Sequence, residues 1–398
     1  MTNVISNLIN WFGNLFMNPK TPADITAPEP KFLNQVAEEL NHMSFFIDEE
    51  KAQGNNELDI SKLLTDSFEK MKNLTVDDGL MNKAWMKYLG FMVKYMNQIP
   101  AVFLEWLNEN NYRTIFSYVG NYVGRIGDYK TEEIKPNKAD AIMQLCDYVL
   151  EKFNDKDIPA LMMKGQLAQL RGRYAVAEES FMRIMVQKEG FNGMMALIDC
   201  YNEEQCKLLG KLGADKTNGE VRERVYELRR KIRSICEDNE RLIKSRIEIE
   251  GSEELKTQYT ILSAKHARWA RNDKDYQASL RIIREVPEDY PEYYRIVIEQ
   301  AFLYQYKGTN RRPNPFYDLN KAIECLVKAD ELCEVQKHES NDLKRARKSV
   351  LMPLANTYYI MGRIDEAREI CEQVLSIDSR EKRAKELLEK MQIHCAGA

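Results

Sequence analysis

The sequence predicts an all-α protein built from antiparallel helix hairpins that stack as repeats, and three observations carry that expectation. Only 18 Gly and 12 Pro occur in 398 residues, and long stretches pass without either, which favours helices over a turn-rich β architecture. Apolar residues recur three and four positions apart through most of the chain. From about residue 112 onward, a small residue in one helix, a turn of the form Gly-x-Tyr and a small residue early in the next helix return repeatedly.

Composition narrows the function classes. Hydrophobic residues make up 44% and charged residues 30% of the chain, enough for a core and a solvated surface, which argues against wholesale disorder. The net charge of −4 supplies no global attraction to phosphate backbones or anionic lipid. Residues 1–110 hold nine Lys/Arg against fifteen Asp/Glu, so the remainder of the chain is slightly basic. The eight cysteines form no Cys-x-x-Cys pair, and most fall in apolar helical stripes where a thiol acts as a small hydrophobe. A reducing, cytoplasmic location is expected. No run approaches the roughly 20 apolar residues that span a bilayer, and the N-terminus lacks the basic region and cleavage site of a secretory signal.

Residues 1–18 read as an uncharged amphipathic helix. Leu8, Trp11, Phe12 and Leu15 lie on its apolar face, and asparagines line the other. Three destinations are open to it: its own solenoid, a partner or second copy, or a membrane surface. The absence of Lys/Arg from the polar face weighs against the last. Four prolines make 19–30 a linker. Helical patterns resume over about 31–50, 58–73, 79–98 and 101–109, giving a divergent helical region, 31–110. Repeats are expected over 111–216 and 257–392, separated by a long charged helix, 217–256. In that helix Val221, Val225, Leu228, Ile232, Ile235, Asn239 and Leu242 form a heptad-like seam, which predicts an elongated hairpin with the helix at about 253–272.

The clearest repeat spans about 158–191. Leu161, Gly165 and Ala168 lie along a first helix, Gly172-Arg173-Tyr174 makes the turn, and Ala177 and Phe181 lie on the return helix. Small residues at 165 and 177 let the two helices approach, while larger ones fill the gaps between hairpins. A second copy carries Ala267, Ala270, Lys274-Asp275-Tyr276, Ser279 and Ile283. A third carries Val297, Ala301, Tyr304 and Gly308, which lies 34 residues after Lys274, followed by the insertion TNRRPNPFYDLN. A fourth carries Leu351, Ala355, Gly362-Arg363-Ile364, Ala367 and Cys371. A divergent copy is expected from Tyr112, with Gly120 and Gly127-Asp128-Tyr129.

These spacings resemble those of the tetratricopeptide-repeat family, and the resemblance covers about 60% of the chain when the divergent copies are counted. It implies a right-handed superhelix with a concave groove lined by the first helix of each repeat. It also implies protein or peptide binding, without naming the ligand.

Catalytic and cofactor signatures find no support. The run Gly210–Thr217 has Asp215 where a phosphate loop needs glycine before its lysine, and no strand precedes it. The four histidines, His42, His266, His338 and His394, belong to no nucleophile or metal motif. The basic run Arg222–Arg233 is interleaved with glutamates that largely cancel its field, so no nucleic-acid partner is expected. No catalytic residue, metal ligand or cofactor is assigned.

The repeat frame places Gln166, Gln169, Arg268, Arg271, Arg295, Phe302, Gln305, Tyr306, Asn356 and Tyr359 on the concave face. Amides, guanidiniums and rings suit an acidic peptide, because they combine bidentate hydrogen bonds with flat apolar contact. The family's carboxylate clamp is not implied, since Met162, Ala264, Ile298 and Met352 stand where its lysine would. The expected function is a non-enzymatic scaffold or adaptor. A peptide-responsive regulatory sensor and an all-helical enzyme are the alternatives.

Overall fold

A computed structural model of the chain describes residues 31–53, 59–72, 78–96, 98–117, 119, 136–187, 190–214, 218–336 and 340–396. The amphipathic segment with Leu8, Trp11, Phe12 and Leu15, the 19–30 linker and the turn at Gly127 lie outside these residues. The described structure is helical apart from one two-stranded hairpin. The chain divides into two compact units, Met1–Arg222 and Glu223–Ala398.

In the first unit, α1 (Lys31–Ala52), α2 (Ile60–Lys72), α3 (Asp78–Tyr95) and the short α4 (Ala101–Glu105) gather around an aromatic core. Phe68 stacks at 4.3 Å on Phe103 and meets the Tyr88 ring edge-on at 5.4 Å. Trp85, fully buried, donates its indole N–H to the Phe103 carbonyl at 2.9 Å. This satisfies a polar atom that burial would otherwise penalise. Beyond them come α5 (Pro136–Lys152), α6 (Ile158–Leu170), α7 (Tyr174–Met185) and α8 (Phe191–Ala214), with α5 packed on α6, α6 on α7 and α7 on α8.

The second unit contains α9 (Gly219–Glu250) from Glu223 onward, then α10 (Glu253–Asn272), α11 (Tyr276–Glu285) and α12 (Tyr294–Gln305). After the strands β1 (Gly308–Thr309) and β2 (Arg312–Pro313) come α13 (Leu319–Gln336), α14 (Ser340–Ile360), α15 (Ile364–Ile377) and α16 (Lys382–Ala396). From α10 onward successive helices pack on one another, and α10 also packs on α12, as stacked hairpins require. The elongated hairpin forms, but its seam shifts from the expected one: Ile235 and Asn239 are half-buried and Leu242 is 56% exposed, while Cys236, Ile243 and Ile247 are buried, because a straight helix drifts off a 3.5-residue repeat. Arg229 reaches Asp273 at 2.6 Å, Arg233 lies over the Trp269 ring, and Glu240 meets His266 Nδ1 at 3.0 Å. These pairs fix α9 and α10 antiparallel, with Val225, Leu228, Ile232 and Cys236 buried on the shared side.

Three hairpin turns share one backbone solution. At Gly172, Lys274 and Gly362 the chain adopts φ of 72°, 70° and 76°. Each of these residues donates its N–H to the carbonyl three back, and the next residue donates to the carbonyl five back: Arg173 to Ala168, Asp275 to Ala270, Arg363 to Tyr358. This double closure satisfies the orphan carbonyls at a helix end. Gly308 stands in the expected 34-residue register and is also left-handed, at φ 84°, but it does a different job. It starts the β1–β2 hairpin, where an added Cβ would fall 2.5 Å from the Asn314 nitrogen. The insertion replaces the helix-capping turn because Tyr306 already leaves the helix with ψ of 113°.

Candidate interaction surface

The repeat-packing residues occupy the hairpin seams. Ala177, Phe181, Ala355 and Ala367 are fully buried, and an added Cβ on Gly165 would stand 2.5 Å from the Phe181 ring. Tyr174 opens α7 and donates its hydroxyl to Glu203 at 3.4 Å, beneath the Lys207 ammonium.

The concave-face positions fall into two sets, one in each unit. In the first unit Gln166 and Gln169 are only 4% and 1% exposed, so neither lines an open surface as the repeat frame suggests. Helix α8 lies along α6, and its Glu203 accepts the Gln169 amide at 2.8 Å. Lys207 closes on the same carboxylate at 2.8 Å. The result is a small polar network tying α6, α7 and α8 together.

In the second unit the corresponding residues converge on one carboxylate. Glu299 of α12 is 1% exposed and buried between two arginines of α10. Arg268 donates Nε to its Oε1 at 2.7 Å, and Arg271 Nη1 lies 3.1 Å from its Oε2. The Arg271 guanidinium sits 5.1 Å above the Phe302 ring, and burial lowers its pKa, opposed by the charge of Glu299. A glutamate this deep is tolerable only because two guanidiniums surround it. Sequence reading assigned the arginines outward and gave Glu299 no role. Its position three residues before Phe302, on the side that meets α10, was the available signal.

The remaining positions continue the ladder between helices. Lys274 donates to the Tyr306 hydroxyl and lies over its ring. Gln305 of α12 donates to Thr357 Oγ1 of α14 at 3.1 Å, across neighbouring hairpins. Asn356 is exposed and Tyr359 half-buried on α14, while Arg295 is spent locally on Glu292 at 2.6 Å. Of the two arginines on Glu299, Arg268 is the more open, its side chain 42% exposed against 12% for Arg271. The Arg268 side chain is therefore oriented by a buried anion.

Among the described residues no His/Cys/Asp/Glu group is arranged to hold a metal ion, and no helix is long and apolar enough to cross a membrane. Comparison with curated proteins yields no match. Residues 349–381, which carry the buried Ala355 and Ala367 and the left-handed Gly362 of the α14–α15 hairpin, match the family model of the tetratricopeptide repeat.

Proposed function

We propose that this chain is an adaptor or scaffold that holds a partner protein by an acidic segment laid along the inner helices of its second unit. The observation that carries the reading is the Arg268–Glu299–Arg271 triad. Two cations meet one buried anion there, leaving a net positive charge at the centre of the face. The arginine that remains accessible is already oriented, so little side-chain entropy is lost when it binds. Phe302 and Asn356 extend the same face with an aromatic and an amide contact. The match of residues 349–381 to an interaction repeat supports a binding rather than a chemical role.

The test is purification of the tagged protein from its native host, with its bound proteins identified by mass spectrometry and their affinity then measured. Arg268→Ala removes the accessible guanidinium and leaves Arg271 on Glu299. Asn356→Glu sets a repulsive charge on the exposed inner face without touching a buried pair. Both variants are expected to lose at least tenfold in affinity for the captured protein. Unchanged affinity in both would overturn the reading.

A further inference from the structure

The insertion that breaks the 34-residue register is an ordered, anchored element. Asn314, 6% exposed, donates its amide to the Leu303 and Tyr306 carbonyls at 2.6 and 2.7 Å, capping the open end of α12. Its own N–H returns to the Lys307 carbonyl at 3.2 Å, and the Tyr276 hydroxyl donates to the Arg312 carbonyl at 3.4 Å. The hairpin tip is thus held beside the α10–α11 turn.

That anchoring brings together charges that are far apart in sequence. Arg229 and Arg233 arrive from α9, Lys274 from the turn, and Lys307, Arg311 and Arg312 from the hairpin. Arg229, Arg233 and Arg312 all act electrostatically on the carboxylate of Asp273. Opposing these six cations are Asp273, paired with Arg229, and Asp275, 3.9 Å from Arg233. Asp318, at the hairpin exit, pairs with Lys321. Lys307, Arg311 and Arg312 are exposed and make no ion pair among the described residues. The second unit thus carries a concentrated positive field in a chain whose net charge is −4. A loop that served only to join α12 to α13 would not need two adjacent, solvent-facing arginines fixed on a buried asparagine.

We infer that the β1–β2 hairpin and the α10–α11 turn form a second docking surface, specific for a glutamate- and aspartate-rich segment of a partner protein. Guanidiniums at the tip offer bidentate hydrogen bonds to carboxylates, and the fixed hairpin supplies their spacing. This surface does not depend on the inner-face triad, because Arg268 and Arg271 contribute nothing to it.

The probe is a fluorescein-labelled peptide of twelve glutamates, titrated with the full-length protein by fluorescence anisotropy at low salt. Binding should fall at least tenfold in R311E/R312E and severalfold in R311Q/R312Q, which removes charge without reversing it. The pair K382E/K385E, exposed on α16, changes the net charge as much as R311E/R312E and should stay within twofold of wild type. Circular dichroism confirms that each variant is folded. Equal losses in the hairpin and α16 pairs, no loss in the hairpin pair, or tighter hairpin-dependent binding of a twelve-nucleotide RNA would each overturn the proposal.

Discussion

The absent side chain of Gly165 is what admits the ring of Phe181: a Cβ at 165 would lie 2.5 Å from Cε1 and 2.8 Å from Cζ. Phe181 is fully buried, so its ring has no solvent to retreat into. The contact sets how closely α6 and α7 approach.

Gly165→Ala should therefore destabilise the protein by about 1–3 kcal/mol, the usual cost of overpacking a filled core. The double variant Gly165→Ala/Phe181→Leu should recover part of the loss, because the smaller side chain yields the space. Urea denaturation of Gly165→Ala, Phe181→Leu and the double variant reads both effects, and additive losses would contradict a shared contact.

Lys274 holds a left-handed backbone where two equivalent turns use glycine. Lys274→Gly is expected to stabilise by about 0.5–1 kcal/mol, since the left-handed conformation costs a side-chain-bearing residue about 1–2 kcal/mol and the lost cation–π contact with Tyr306 returns some of it. Gly362→Ala should move the denaturation midpoint the other way. Equal midpoints for all three proteins would mean the turns carry no strain.

Glu299→Gln leaves two arginines facing a neutral amide. A loss of about 3–5 kcal/mol is expected, as when one partner is removed from a buried ion pair. Glu299→Gln combined with Arg271→Met should be less destabilising than Glu299→Gln alone, because the uncompensated buried cation goes too. Thermal melts of single and double variants measure this.

Lys348 joins α14 to the turn before α16, contacting Asp378 at 2.8 Å and Glu381 at 3.2 Å. The pKa of Asp378 is lowered by its hydrogen bond from Lys348, and that of Glu381 is lowered although burial opposes the shift. Depressed carboxylates stabilise the fold above their unfolded pKa values, and the contribution is lost as pH falls through the folded ones. The Lys348 pKa is raised despite burial, by hydrogen bonds to both acids, so its contribution is present below its unfolded pKa and disappears as pH rises through the folded value. Lys348→Met should thus cost about 1 kcal/mol or less near neutrality, and this difference should vanish near pH 2. A constant difference across that range would exclude the linkage.

Asn314→Ala uncaps two carbonyls of α12 and frees the hairpin. A global cost of about 1–3 kcal/mol is expected, with faster amide exchange confined to residues 307–317. Exchange spread evenly over the second unit would show that the hairpin is not separately anchored.

Much of the fold was legible because helical period and small-residue spacing are local. Gly172, Gly362 and the alanines that follow them specify close hairpins wherever they recur, whereas only the first half of the α9 seam, Val225, Leu228 and Ile232, is buried and Leu242 at its end is exposed. The interaction surface was legible only in part. The repeat frame placed Arg268 and Arg271 on a concave face, but no spacing rule shows that both form ion pairs with Glu299, 28 residues beyond Arg271. The buried Gln166 and Gln169 illustrate the same limit, since exposure depends on which later helix covers the face.

By itself, then, the sequence determined the helices, their hairpin turns and the small residues that let them close, because these follow from backbone conformation and steric size at fixed short separations. Tertiary structure alone decided which charges are spent and which remain available. Arg268 and Arg271 are committed to Glu299, Arg229 to Asp273, while Arg311 and Arg312 stand exposed on a hairpin anchored by Asn314. The physical reason is that an ion pair is set by distance and burial in space, and those depend on how the hairpins stack rather than on any spacing along the chain.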